Sequence, residues 1–190
     1  MSENAPRNRT ALWLIALLCV APVAASYYVF YFSAPAARVN YGDLIETRPL
    51  PVERLQLADG AEFTIERLRG KWVLLMVDDG ACAARCRDKL FKLRQLRLAQ
   101  GKDMSRMERA WLIVDAATPA ADLMAPYEGT WLVRGGSSAL LKALPASGTP
   151  ADHIYLVDPL GNLVLRYTYD ADPSRIIKDL TRLLKTSGIG

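Results

Sequence analysis

An uncharged apolar run at residues 11–32, "ALWLIALLCVAPVAASYYVFYF", limits the architecture of this chain more than any other feature. As an α-helix it would extend about 33 Å, which is enough to cross the hydrocarbon core of a bilayer. Arg7 and Arg9 precede the run. The positive-inside rule therefore keeps residues 1–10 in the cytoplasm and places the chain after the run on the far side of the plasma membrane.

A cleaved signal peptide is the alternative interpretation, because small residues precede Ser26 in "VAAS". The apolar run continues through "YYVFYF", which a signal peptide does not need, so an uncleaved membrane anchor is favoured. Cys19 follows Leu18, where a lipoprotein signal requires a small residue, and a lipid-facing role without chemistry is expected for it. The exported part then holds two cysteines, and an exported compartment permits a disulfide.

The net charge of +4 is too small to argue for a nucleic-acid partner, and the sequence contains no nucleic-acid-binding motif. The charge is unevenly spread, since nine basic residues lie between Arg85 and Arg109 against three acidic ones. A solvated helix face is the favoured interpretation of this cluster. A docking surface for an acidic partner or for anionic lipid is the alternative.

Strands and helices alternate along residues 52–187, which predicts an α/β domain whose central sheet carries helices on its faces. A linker is predicted at 33–51, where Pro35, Pro49 and Pro51 accompany little periodicity. The predicted elements begin with a hairpin at Asp59-Gly60, a buried strand "KWVLLMV", a helix "CRDKLFKLRQLRLAQGK" and a second buried strand "RAWLIVDAA". A short helix around "PAADLMAPY", a strand around "TWLVRG" and a short helix "SSALLKAL" follow. A hairpin "HIYLVDPLGNLVLRYTY" and a helix "DADPSRIIKDLTRLLK" complete the predicted elements.

The two remaining cysteines, Cys82 and Cys86, follow the first buried strand where a helix is expected to begin. If the helix starts near Cys82, the pair lies one turn apart on one face, within the span of a disulfide. A purely structural disulfide is the weaker interpretation, because closing so short a loop constrains the unfolded chain little. Redox exchange and metal binding both remain open. The only histidine, His153, could add an imidazole ligand, although a buried core role is the more common fate of such a residue.

The segments "DGAEFTIERLRGKWVLLMV", the cysteine pair at a strand-to-helix turn and "IYLVDPLGNLVLRY" together resemble thioredoxin-like proteins. The C-x-x-x-C spacing resembles the Sco/SenC branch, membrane-anchored proteins that help to assemble the copper site of cytochrome c oxidase. More narrowly, "ACAARCRDKLFKLRQLRLAQGK" and "DHIYLVDPLGN" are similar to a little-characterised anchored family from proteobacterial oxidase operons. The resemblance implies a thioredoxin-like fold after a single transmembrane helix, in the inner membrane with the domain in the periplasm.

Carried onto this chain, the resemblance makes Cys82 and Cys86 the thiol pair, His153 a candidate third copper ligand and Pro150 a candidate cis-proline beside the cysteines. Two departures favour thiol chemistry over a preformed copper site. Arg87 stands where Sco proteins usually have proline after the second cysteine. Alignment of the "YLVDP" strand places the Sco histidine at Pro150, and a shift of three residues reverses the direction of a strand side chain.

The resemblance therefore implies a role in cytochrome c oxidase assembly, with an oxidase subunit or another assembly factor as partner. The first hypothesis is a thiol–disulfide oxidoreductase that reduces the cysteines of an oxidase subunit so that they can take copper. The second is a non-enzymatic copper carrier that uses Cys82, Cys86 and His153. The third is a docking scaffold whose cysteines are incidental.

Overall fold

In a computed structural model of the chain, residues 9–32 and 40–188 are described, and they divide between two compact units, Met1–Val39 and Asn40–Gly190. The first unit holds one helix, α1 (Arg9–Phe32), with Pro22 inside it. Its segment Thr10–Tyr31 has a mean hydropathy of 2.0 and is long enough to cross a membrane. The predicted apolar N-terminal helix is thus confirmed as a candidate membrane span.

The second unit is built on a single eight-stranded sheet with the order β1-β8-β7-β4-β5-β6-β2-β3. The neighbouring pairs β4–β5 and β5–β6 are parallel, and the other pairs are antiparallel. The strands are β1 (Asp43–Pro49), β2 (Leu55–Leu57), β3 (Glu62–Phe63), β4 (Trp72–Asp78), β5 (Met107–Ile113), β6 (Thr130–Arg134), β7 (His153–Val157) and β8 (Asn162–Thr168). The helices are α2 (Ala84–Leu98), α3 (Ala121–Met124), α4 (Ala139–Lys142) and α5 (Pro173–Thr186). Short 3-10 turns lie at Ile65–Leu68, Gly101–Arg106, Ala125–Tyr127 and Pro150–Asp152.

Two apolar cores lie on opposite faces of this sheet, because alternate residues of the buried strands point to opposite sides. On one face Leu74 and Met76 of β4 pack with the leucines of α2 and with the apolar stripe of α5. On the other face Leu75 and Val77 pack with Phe63 and with the leucines at α4. The continuous apolar run of β4 is buried on both sides, as its sequence predicts. The mixed sheet with helices on its faces confirms the predicted α/β class.

Both predicted hairpins are present. β2 and β3 pair across the Asp59-Gly60 turn, and β7 pairs with β8 across the turn at 158–161. The predicted linker at 33–51 is wrong over part of its length, because β1 lies inside it and pairs with β8 at the sheet edge. Its register shifts between Leu44 and Arg48, and most of its side chains are exposed, so no alternating pattern marks it in the sequence. Residues 33–39 of that linker lie outside the described residues.

Candidate functional site

Cys82 and Cys86 form a disulfide bond between the end of β4 and the start of α2, with their Cα atoms 5.0 Å apart. The pairing that the spacing made possible is therefore present. The helix α2 begins at Ala84, two residues after Cys82. Cys82 consequently lies in the preceding loop, and only Cys86 lies in the helix.

The loop that carries Cys82 is tightly fixed at both ends. The Gly80 N–H donates to the Asp115 carboxylate at 2.8 Å. A Cβ on Gly80 would lie 2.2 Å from the carbonyl oxygen of Ala117, so only glycine fits there. Cys82 itself has φ +49°, the single positive φ of a non-glycine residue in the described part of the chain. This left-handed conformation costs about 1–2 kcal/mol in an L-residue.

A buried lysine, Lys89, lies one turn after Cys86 on α2 and is fully shielded from solvent. Its Nζ donates to the carbonyl oxygens of Val77 at 2.6 Å and Ala151 at 2.7 Å. It also forms an ion pair with the Asp78 carboxylate at 2.7 Å. Burial lowers the pKa of Lys89, and the hydrogen bond and charge of Asp78 oppose that shift. Lys89 thus ties α2 to the end of β4 and to the segment before β7.

Sequence reasoning missed Lys89 as a site residue, because a lysine among several basic residues is normally exposed. Its position carried a signal, since it falls on the stripe of Cys86, Leu90 and Leu93, which faces the core. A lysine on the apolar face of a helix needs a buried acceptor, and Asp78 at the end of the preceding strand supplies one.

The Lys89 contacts form the first of two clips between α2 and the segment before β7. The second clip joins the start of α2 to residues 149–152 of that segment. The Arg85 guanidinium contacts the Asp152 carboxylate at 2.6 Å and lies 5.4 Å from the centre of the Tyr169 ring. The backbone N–H and hydroxyl of Thr149 both donate to Asp152 and lower its pKa, and Arg85 lowers it further. The two clips hold the disulfide-bearing helix start beside the loop that leads into β7.

Pro150 is the first residue of the 3-10 turn in this loop, and the predicted cis-proline is wrong. No cis peptide bond occurs in residues 9–32 and 40–188. Thr149 and Asp152 form a reciprocal capping box around the turn, with Pro150 at its first position. The ring of a proline in that position supplies the helical φ, and the N–H that it lacks would have no partner in the first turn.

His153 begins β7 and does not join the cysteines. It is buried, its Nδ1 lies 3.2 Å from the carbonyl oxygen of Thr149, and its ring lies 5.9 Å from that of Tyr155. Residues two apart on a strand share a face, and Tyr155 belongs to the core opposite the one that contains the cysteines. His153 therefore points away from the disulfide, as its shift of three residues from the position of the Sco histidine predicted.

The donor set does not fit a preformed copper site. Within the described residues, no group of three or more His, Cys, Asp or Glu side chains is placed to hold a metal ion. Reduction would free two soft thiolates at Cys82 and Cys86, but a third ligand is not beside them. The predicted ligand set of Cys82, Cys86 and His153 is corrected accordingly, because the sheet separates its members.

The disulfide is also covered, with each cysteine only 1% exposed. Ala81 and Ala83 beside Cys82 are exposed, as are Arg85 and Arg87 beside Cys86. Arg87 folds back on the loop and donates from Nε to the carbonyl oxygen of Cys82 at 3.2 Å. A sulfur of another protein therefore comes within reach of Cys82 only when the neighbouring Ala81 and Ala83 move aside.

These features match a known family. The model of the family described as transmembrane-like, thioredoxin-like, C-terminal domain matches residues 72–187, which is more than half of the chain. The chain belongs to this family. Its thioredoxin-like domain contains β4, the cysteine pair, both clips and α5. A comparison with curated proteins finds no significant match.

Solved structures similar to this thioredoxin-like protein are Sco proteins. Bradyrhizobium japonicum ScoI with copper bound is 21% identical, with a TM-score of 0.56 over 71% of this chain and 99% of that chain. Yeast Sco1 with copper bound is 18% identical, with a TM-score of 0.64 over 75% and 96%. BsSco, described as a member of the Sco family of cytochrome c oxidase assembly proteins with a disulfide switch, is 17% identical, with a TM-score of 0.57 over 78% and 99%. At these identities the likeness establishes a shared fold.

Proposed function

We propose that this membrane-anchored thioredoxin-like protein assists the assembly of cytochrome c oxidase by thiol–disulfide exchange through Cys82 and Cys86. The observation that carries the proposal is their disulfide at the strand-to-helix turn, with Cys82 in a strained left-handed conformation. The likeness to Sco structures, among them one described by its disulfide switch, supports the same role. An oxidase subunit whose cysteines must be reduced before they take copper is the proposed substrate.

The exchange transfers two electrons from this protein to the client. The Cys82 thiolate attacks one sulfur of the client disulfide, forms a mixed disulfide and releases a client thiolate. The Cys86 thiolate then attacks the Cys82 sulfur, releases the second client thiolate and leaves the Cys82–Cys86 disulfide. A separate dithiol reductant must restore the reduced pair.

The local structure supports Cys82 as the attacking sulfur. Ala83 occupies the cap position of α2 and has no side-chain acceptor for the first N–H groups of the helix. These N–H groups and the helix dipole favour an anion before the helix, and after reduction the Cys82 thiolate would be that anion. Cys86 lies within the first turn, among the leucines of the core, and suits the resolving role.

Trapping of the intermediate tests this proposal. In a Cys86→Ser variant the mixed disulfide cannot be resolved, so a covalent adduct with a disulfide-bearing oxidase-subunit peptide should accumulate. The matched Cys82→Ser variant should form far less adduct, because Cys86 lies inside α2 and not before the first N–H groups of the helix, where a thiolate is favoured. Equal trapping by both variants would contradict the assigned roles, and no adduct with either would refute exchange.

Copper carriage is the second candidate, because two of the similar structures contain bound copper. It would rest on the two thiolates without His153. A stable copper complex of the reduced protein that is lost in Cys82→Ser and Cys86→Ser would overturn the preference for exchange. Its further loss in His153→Ala would show that the histidine also reaches the metal.

A further inference from the structure

Most basic residues of the cluster between Arg85 and Arg109 form hydrogen bonds within the fold. Six of its nine members donate to acceptors within the fold: Arg85, Lys89, Lys92, Arg97, Arg106 and Arg109. Arg87 uses one N–H on the carbonyl oxygen of Cys82. Arg94 and Lys102 form no hydrogen bond or ion pair with any other described residue. The predicted solvated face is wrong for Lys89 and Arg109, which are buried. Arg87 and Arg94 are basic residues of α2 that form no ion pair with another described residue and do not lie in the core.

Arg87 is exposed and Arg94 is half-buried, and both lie on one face of α2 with the exposed Phe91 between them. We define the α2 ridge as Ala84, Arg87, Phe91, Arg94 and Leu98, whose spacings of three and four residues place them in one row. Phe91 is 52% exposed and Leu98 is 44% exposed. Large apolar side chains set in a row with unpaired cations are typical of an interaction surface. Asp88 points about 100° away from Arg87 around the helix. It lies four residues after Ala84 and three before Phe91, so its exposed carboxylate borders the ridge on the side opposite Arg94.

We propose that the α2 ridge docks an acidic, apolar-bearing segment of the client protein beside the client's reactive cysteine. This inference rests on the proposed thiol exchange and adds the chemistry of its partner. The ridge begins two residues after Cys82, so a segment lying along it brings the client disulfide to the Cys82 sulfur. Phe91 supplies an apolar anchor, and Arg87 and Arg94 on either side of it select carboxylates.

The length of the ridge limits how far the acidic residues of the client segment can lie from its cysteine. Arg94 lies about 15 Å along the helix from Ala84, and an extended chain covers that distance in about five residues. The acidic residues of the client are therefore expected within about five positions of its cysteine, with an apolar residue between them. Anionic lipid fits the ridge less well, because lipid-binding segments use clusters of about four to eight Lys and Arg.

The test uses the full chain in nanodiscs and two disulfide-bearing peptides that differ only in their flanking charges. Both peptides carry leucine, and the flanks are either aspartate or lysine. The reduced protein should react with the aspartate peptide about 10-fold faster at low salt, and high salt should shrink the ratio. Arg94→Glu should bring the ratio of the two rates close to one. Lys102→Glu, the same charge change off the ridge, should leave the ratio unchanged.

Two readouts separate this proposal from the proposed function. Reduction of glutathione disulfide, which has no docking segment, reports on the thiols alone. Binding of the aspartate peptide with serines in place of cysteines, followed by fluorescence anisotropy, reports on the ridge alone. We expect Phe91→Ser to weaken that binding at least 5-fold. Equal rates or equal affinities for the two peptides would overturn the ridge proposal even if exchange with glutathione disulfide proceeds.

The same assay decides between a protein and a membrane as the occupant. Nanodiscs of neutral lipid should give the same preference for the aspartate peptide as nanodiscs that contain anionic lipid. Loss of the preference only in anionic nanodiscs would show that the ridge binds lipid, and the proposal would then be wrong.

Discussion

Lys89 shows how a single residue organises this site. Its ammonium group supplies the donor for two carbonyl oxygens and the Asp78 carboxylate, all at the junction that carries the disulfide. Removal of one partner of a buried ion pair is costly because the other charge stays behind. The stability of the redox site is therefore expected to depend on a residue that forms no bond to sulfur.

We expect Lys89→Met to destabilise residues 40–190 by about 3–5 kcal/mol. Urea unfolding at neutral pH measures the effect, and Lys102→Met on an exposed loop provides the control, with an expected change below about 0.5 kcal/mol. The addition of Asp78→Asn to Lys89→Met should recover part of the loss, since it removes the stranded charge. A Lys89→Met protein as stable as the control variant would show that the pair contributes nothing.

For single residues, the sequence predicted where side chains lie better than it predicted which groups they contact. The spacing of Cys82 and Cys86 allowed a disulfide, and strand alternation placed His153 away from it. The left-handed Cys82 was not foreseeable, because a cysteine has no intrinsic preference for positive φ and the conformation follows from the fixed loop. Pro150 was a candidate cis-proline by alignment alone, and the structure places it in a trans bond at the start of a 3-10 turn.

At the scale of elements, the entry into the domain is fixed by one carboxylate on α5. Asp179 is buried and accepts the backbone N–H groups of Tyr41 at 2.7 Å and Gly42 at 3.0 Å. The Arg175 guanidinium lies 3.9 Å from the centre of the Tyr41 ring. A Cβ on Gly42 would lie 2.4 Å from the Tyr167 ring, so the approach segment fits closely against the sheet.

Asp179→Ala should release this approach segment and cost about 2–3 kcal/mol, since two hydrogen bonds to a charged group are lost. Hydrogen exchange should show protection lost at Tyr41 and Gly42 and retained in β4. Asp170→Ala, which changes an exposed aspartate before α5, is the control and should leave both amides protected. Unchanged protection of Gly42 in Asp179→Ala would contradict this account of the segment.

Element prediction succeeded where burial leaves a pattern and failed where it does not. β4 is a continuous apolar run, β5 ends in the apolar run "AWLI", and α5 carries its apolar residues on one face, so both types were evident in the sequence. β1 is an edge strand with an irregular register and exposed side chains, and its prolines suggested a linker. The start of α2 at Ala84 could be placed from the sequence only to within about two residues, because Ala83 gives no capping signal.

At the scale of the whole molecule, the proposed exchange requires the thioredoxin-like domain to lie on the side of the membrane away from the cytoplasm, where it contacts its client. Arg7 and Arg9 before α1 provide the physical reason. An alkaline phosphatase fusion after Gly190, which is active only outside the cytoplasm, should be active in a bacterial host. Replacement of both arginines by glutamate should lower that activity, and a cytoplasm-specific reporter active at the same position would refute the orientation.

The central claim is that the Cys82–Cys86 disulfide exchanges with other thiols rather than serving as a staple. Equilibration of the full chain in dithiol and glutathione buffers, followed by alkylation and mass spectrometry, measures its reduction potential directly. We expect one reversible two-electron transition at a potential above about −300 mV, because disulfides with a purely structural role lie below that value. A pair that remains oxidised in buffers well below about −300 mV would contradict the account and identify a structural disulfide.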